Sequence, residues 1–124
     1  LRLKPDVDAE YLLGETLAKE GKRAAAVELF RRVVQARPDH AAAHAALGTA
    51  YREQEEFAAA KVELERAVEL DPDDLRANYQ LGLVYARLGD QEAAKRMFAR
   101  ADELRGRERQ RESVIFKLID PPQP

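Results

Sequence analysis

The sequence predicts an all-α protein of stacked helix pairs, and three observations carry that prediction. Leu13-Gly14, Leu47-Gly48 and Leu81-Gly82 recur thirty-four residues apart, each followed in register by a small residue (Ala26, Ala60, Ala94) and a bulky one (Phe30, Leu64, Phe98). A fixed period of this length marks supersecondary units that bury their apolar faces only against one another. Between the tails the chain is rich in Ala, Leu, Glu, Arg, Lys and Gln, all good helix formers, with few β-branched residues. Breakers stand at Gly21, Pro38, Pro72, Gly89 and Gly106, and they cut the chain into segments of ordinary helix length.

In chain order the expected helices are 8–20, 22–36, 41–54, 56–70, 74–88 and 90–105, joined by short turns that make neighbours antiparallel. The first carries Leu13 and Leu17 one turn apart and stops before Gly21, a residue suited to the left-handed helix end. The second answers with Phe30 and Val33 and stops before Pro38. Asp39 is expected to cap the third, which presents Leu47 and Tyr51. Glu55 stands where the other pairs have Gly, so the turn into the fourth helix is expected to be less sharply specified. The fourth offers Leu64 and Ala67 before Pro72; Asp73 is expected to cap the fifth, with Leu81 and Tyr85, which stops before Gly89. The sixth offers Phe98 and Ala101 and is expected to end at Gly106. Gly48 and the facing Ala60 are small so that two backbones can approach where helices cross, and Gly48→Leu is expected to overpack the crossing.

Composition narrows the function. A chain of 124 residues is one domain, and its net charge of -2 argues against a dedicated nucleic-acid binder. No apolar run approaches the roughly 20 residues of a membrane span, and the absence of Cys leaves no disulfide or thiolate metal site. The opening Leu1-Arg2-Leu3-Lys4-Pro5-Asp6 resembles Val68-Glu69-Leu70-Asp71-Pro72-Asp73, so the sequence reads as a piece of a longer protein that begins in a preceding linker or repeat. Its preference for Arg over Lys, with abundant Ala, points to a GC-rich, bacterial genome. The compartment stays open, with the cytoplasm favoured.

Catalytic constellations are not evident. There is one Ser (Ser113) and no Gly-rich phosphate loop. His40 and His44 have a spacing that suits two imidazoles on one helical face, but no third metal ligand accompanies them. His40 reads instead as a linker residue and His44 as a polar substitute at a packing edge. The basic tract from Lys95 to Arg111 lacks interleaved aromatics between Arg100 and Arg111 for base stacking, and reads as a solvated helix end. The expectation is a non-enzymatic protein with no cofactor and no bound metal.

With these residues in place, the chain resembles a tetratricopeptide repeat protein. Its middle repeat matches the pattern best, with Leu47, Gly48, Tyr51, Ala60, Leu64, Ala67 and Pro72. The third repeat has Leu81, Gly82, Tyr85, Ala94, Phe98 and Ala101, and the first has Leu13, Gly14, Leu17, Ala26, Phe30, Val33 and Pro38. The resemblance implies a right-handed superhelix, an α-α solenoid, with repeats at 7–40, 41–74 and 75–108, a capping helix at 109–120 and a tail at 121–124. Ile115, Phe116 and Ile119 would be the packing residues of that cap, ended by Pro121-Pro122; a strand, a flexible tail or a segment inserted into a groove are the alternatives for residues 113–119. Where the family often has an aromatic three residues before the Leu, this chain has Glu10, His44 and Asn78, so those edges are expected to pack less apolar surface.

The resemblance also implies that the first helices line a concave groove for a partner protein or peptide. Carried onto this sequence, the groove places are Tyr11 and Glu15 from repeat one, Ala45, Thr49 and Arg52 from repeat two, and Arg76, Tyr79, Leu83 and Arg87 from repeat three, with Asp8, Lys19, Ala42 and Glu53 beside them. Tyr11 and Tyr79 would flank Ala45, and the acidic groups of the ligand would face Arg76 and Arg87. The chaperone-tail clamp of some members is not expected, because Tyr11, Glu15 and Ala46 replace its Lys, Asn and Asn, and Gln80 replaces a basic residue. The expected function is therefore a protein-interaction module. The alternative is a structural module that pairs with copies of itself through the repeats or the C-terminal segment.

Overall fold

The computed structural model describes residues 6–119 and folds them into six α-helices: α1 (Val7–Lys19), α2 (Arg23–Ala36), α3 (Ala41–Glu53), α4 (Phe57–Leu70), α5 (Leu75–Arg87) and α6 (Gln91–Ile119). The expected tails at 1–6 and 121–124 lie outside the described residues, save Asp6. Each helix packs against the next, α3 also touches α1 and α5, and α2, α4 and α6 do not meet one another. The chain is thus an α-solenoid of three helix pairs, with α1, α3 and α5 as its inner layer. The core runs through the pairs: Val27, Phe30, Leu47 and Ala50 form one cluster, Leu64, Leu81 and Val84 a second, and Tyr51 packs on both.

The close crossings follow from the repeated glycines. A Cβ on Gly48 would stand 2.5 Å from Leu64 Cγ and 3.2 Å from the Ala60 carbonyl oxygen, and Cβ atoms on Gly14 and Gly82 would stand 2.6 Å from the Phe30 and Phe98 rings. The bulky residue four places after the small one therefore fills the space that glycine vacates. Each helix pair turns through a left-handed residue: Gly21 (φ 82), Glu55 (φ 62) and Gly89 (φ 88). The same bonds close all three turns, Lys22 N–H to Leu17 O (2.8 Å), Glu56 N–H to Tyr51 O (2.9 Å) and Asp90 N–H to Tyr85 O (2.9 Å). The turn at Glu55 is as sharply defined as its glycine counterparts, contrary to expectation. The hydrogen bonds of the Schellman end impose the conformation on a residue that disfavours it.

Two helix caps differ from the sequence expectation by one residue. His40, not Asp39, caps α3, its Nδ1 accepting from Ala43 N–H (3.0 Å); Asp74, not Asp73, caps α5, accepting from Ala77 N–H (3.2 Å). Asp73 instead pairs with Arg100. His40 is thus a structural cap rather than a linker residue.

His44 and Asn78, expected as weak edges, are buried and fully partnered. They occupy equivalent places and perform equivalent work, tying the start of α3 or α5 to the preceding turn: His44 Nε2 to Pro38 O (2.8 Å), Asn78 Nδ2 to Pro72 O (3.1 Å) and Asp74 O (2.8 Å). His44 Nδ1 also meets Glu63 Oε2 at 2.7 Å, which joins α3 to α4. The apolar area lost at these places is replaced by satisfied buried hydrogen bonds.

The largest departure is at the C-terminus. No separate cap helix forms among the described residues: α6 continues through Gly106 to Ile119, and every residue from Gly106 to Ile119 is exposed. The third pair does not need a cap of the expected kind. Val34 and Val68, which pack against the inter-helix clusters, correspond to Asp102, and Phe57 corresponds to Gln91, so the outer side of α6 is already polar.

Candidate functional site

The inner layer is concave because α3 presents small side chains where α1 and α5 present larger ones. Ala42, Ala45, Ala46, Thr49 and Ala50 form the floor of a cleft of about 320 Å³. Tyr11, Glu15, Ala18 and Lys19 of α1 form one wall, with Arg23 and Phe30 of α2 behind them; Asp74, Arg76 and Ala77 at the start of α5 form the other. Thr49 donates its hydroxyl to Ala45 O (2.8 Å), which leaves its methyl group to the floor.

Tyr11 is fixed on three sides. Its ring centroid lies 5.9 Å from Phe30 and 5.0 Å from His40, both tilted, and its hydroxyl donates to Glu15 Oε1 (2.8 Å). Burial, then the bond to Glu15, pushes the phenol well above its ordinary pKa, so it stays neutral and amphipathic. Most charges of the cleft are engaged: Arg23 Nε pairs with Glu53 (2.8 Å), Asp74 caps α5, and Glu15 receives Tyr11. Lys19 and Arg76 have no ion-pair partner among the described residues. The cleft therefore offers an apolar floor, one aromatic wall and two unengaged cations.

Of the groove places carried over from the resemblance, Tyr11, Glu15, Ala45, Thr49 and Arg76 line this cleft and four do not. Arg52 donates to Gln80 Oε1 (2.5 Å), bracing α3 against α5. Tyr79 is exposed and its ring rests on Phe98, centroids 5.7 Å apart. Leu83 is half-buried, and Arg87 lies over the Phe57 ring, 4.5 Å from its centroid, with Glu55 at 3.9 Å. Sequence reasoning missed several lining residues, Ala18, Phe30, Ala50, Asp74 and Ala77 among them, and the charged Arg23 is the one with no counterpart in the other repeats. Its equivalents are Phe57 and Gln91, so the period carries no trace of a cation there, and its partner Glu53 is thirty residues away.

Other candidate chemistry is accounted for by structure. His40 Nδ1 and both nitrogens of His44 are already engaged, and no group of three metal-ligating side chains occurs among the described residues. No helix among them is long and apolar enough to cross a membrane.

Known proteins place the fold. Family models described as tetratricopeptide repeat match residues 17–68 and 75–107, and one described as TPR repeat matches residues 48–89. No curated protein sequence matches the chain. Among solved structures, the second TPR of Spaghetti (RPAP3) bound to HSP90 peptide SRMEEVD superposes with a TM-score of 0.76 at 26% identity, covering 79% of this chain and 91% of that one. The MamA RS-1 ArsTM double mutant gives 0.75 at 29% identity, covering 82% and 57%. A further crystal structure of MamA gives 0.75 at 25% identity, covering 85% and 61%, so this chain spans about three fifths of these two MamA chains. Three in-register helix pairs, the glycine crossings and these matches make the chain a member of the tetratricopeptide repeat family.

Proposed function

We propose that the chain is a non-enzymatic protein-interaction module whose inner cleft receives a short segment of a partner protein. The observation that supports this most is the cleft itself: an alanine floor and a fixed tyrosine wall, with Lys19 and Arg76 unengaged on opposite sides. Rigid helices hold this surface in advance, so docking orders the ligand but not the module. The ligand that fits has small or medium apolar side chains against Ala45 and Ala46 and carboxylates that reach Arg76 and Lys19. Arg87, held over Phe57, is the less available cation, which moves the acidic preference toward the start of α5.

The solved relative that carries an HSP90 peptide supports peptide docking on this fold, but its ligand does not transfer with it. Tyr11, Glu15 and Ala46 stand in this cleft where a carboxylate clamp needs Lys and Asn, and Gln80 is tied to Arg52. Selection of peptides from a random display library on the folded chain tests the reading. Enriched peptides should carry an acidic residue beside an apolar pair, and should lose at least about tenfold in affinity to Arg76→Glu, which corresponds to about 1.4 kcal/mol. Arg109→Glu, outside the cleft, should bind as the parent does. Peptides whose affinity ignores both Arg76→Glu and Ala45→Arg would show that the cleft is not the site.

A further inference from the structure

His44 is a buried imidazole with no part in the cleft. Its side chain is 11% exposed and that of its partner Glu63 is 21% exposed. Nδ1 lies 2.7 Å from Glu63 Oε2, and Nε2 lies 2.8 Å from the Pro38 carbonyl oxygen. Both partners are acceptors. A carbonyl oxygen has no proton to give, so Nε2 must donate there. A neutral ring would then aim the lone pair of Nδ1 at a carboxylate oxygen, and the contact needs one further proton. Of the two groups the imidazole is ordinarily the stronger base, about 6.5 against about 4.3, so the proton sits on Nδ1. The contact is an imidazolium–carboxylate pair.

Nothing else nearby supplies that charge. Glu65, Arg66 and Glu69 of α4 line a shallow pocket with His44 and Glu63. Arg66 is turned to Glu69 (3.2 Å), and Glu65 accepts from the Tyr85 hydroxyl (2.6 Å). In the turn before α3 stand Arg37, paired with Asp8 (3.5 Å), then Asp39, and His40, whose Nδ1 accepts from Ala43 N–H. Among the described residues His44 is the one ion-pair partner of Glu63, and α1, α2 and α5 place no bonded group on His44.

Repeat three does the same work without a proton. Asn78, at the place of His44, donates its amide to Pro72 O (3.1 Å) and Asp74 O (2.8 Å). The place of Glu63 is taken by Met97, which packs on the second core cluster. Repeat one has Glu10 and Leu29 at the two places. The charged pair is confined to one junction, where it fastens the turn at Pro38, the start of α3 and the middle of α4.

We infer that His44 and Glu63 form a proton-dependent latch: one proton holds the junction of the first two helix pairs closed, and its loss loosens that junction while the one at Asn78 is unaffected. The latch is independent of what the cleft binds. An unfolded histidine gives up its proton at about pH 6.5, and the folded latch keeps it. A folded state that holds more protons than the unfolded one loses stability as pH rises. The contribution is whole below about pH 6.5 and disappears above it as the latch releases its proton.

Two measurements on the full chain test this. Nitrogen-15 NMR at pH 7 reads both histidines of the sequence. His44 should carry a hydrogen on each ring nitrogen, whereas His40 should carry one, on Nε2. Urea unfolding from pH 6.5 to 8.5 should show the parent's unfolding constant rising by up to about tenfold per pH unit, the limit for one proton. Glu63→Gln supplies an amide that can donate to Nδ1 of a neutral ring, so it should remove that dependence and leave one hydrogen on His44. His44→Asn with Glu63→Met, which copies repeat three, should be equally flat if Glu63→Gln folds poorly. Both variants retain His40, so the difference from the parent belongs to the pair. A single hydrogen on His44 in the parent at pH 7 overturns the inference. So does a parent whose pH dependence matches that of the variants.

Discussion

Repeats one and two carry the same signature and meet different fates. Leu13 and Leu47 precede equivalent glycines, yet one is half exposed and the other is sealed. Gly21 and Glu55 occupy the same left-handed turn, yet only one suits it. The difference teaches that a repeat's sequence sets its internal geometry, whereas its contribution to stability depends on what stands next to it. The middle pair has a neighbour on both sides; the first has one among the described residues.

The sharpest way to break this comparison is truncation at the two leucines. Leu47→Ala should cost about 2–5 kcal/mol, the range for emptying a sealed leucine site, because it removes contacts with Val27 and Phe30 in the preceding pair. Leu13→Ala should stay within about 0.5 kcal/mol, as exposed substitutions usually do. Urea unfolding of both variants, at a concentration where the parent is monomeric, measures the pair. Equal losses would mean that position within the array does not matter.

The glycines give a smaller contrast. Gly48→Leu should cost about 1–3 kcal/mol, the usual range for overpacking, because its Cβ meets both Leu64 and the backbone carbonyl of Ala60, and a carbonyl in a helix cannot swing aside. At Gly14 the three nearest atoms all belong to the Phe30 ring, at the end of the array. Thermal melts should therefore rank Gly48→Leu below Gly14→Leu. The reverse order would place the critical crossing in the first pair.

Much of this was legible in the sequence, for a physical reason. Five of the six helices end within one residue of the expected positions, four of them just before a Gly or Pro, because turn chemistry is local. The sixth was misread at Gly106. An exposed Gly in a helix costs only about 1 kcal/mol relative to Ala, and the residues around it are strong helix formers linked by pairs that hold either side of the glycine, Arg105 to Asp102 (3.1 Å) and Arg107 to Glu103 (2.9 Å). The cleft was legible where repeat position governs, at Tyr11, Ala45 and Arg76. It was not legible at Arg87, which lies over Phe57 of the preceding pair, a contact between pairs that the period does not set. Tyr79 rests on Phe98 as Tyr11 rests on Phe30, so the period does set that contact, yet Tyr79 does not line the cleft.

The turn at residue 55 sharpens the comparison with the least effect and the opposite sign. Glu55 holds φ 62, where a side chain's Cβ crowds the following carbonyl, whereas Gly21 and Gly89 take the same conformation without that crowding. The exposed Glu55–Arg87 contact at 3.9 Å offers little in return. Glu55→Gly should therefore stabilise the chain, by up to about 1 kcal/mol after the added chain entropy of glycine in the unfolded state is deducted. It should also leave Arg87 to the Phe57 ring alone. A raised denaturation midpoint with an unchanged slope is the expected outcome. A lowered one would mean that the carboxylate at 55 holds Arg87 in place and that the middle turn is fixed by that pair rather than by its backbone bonds.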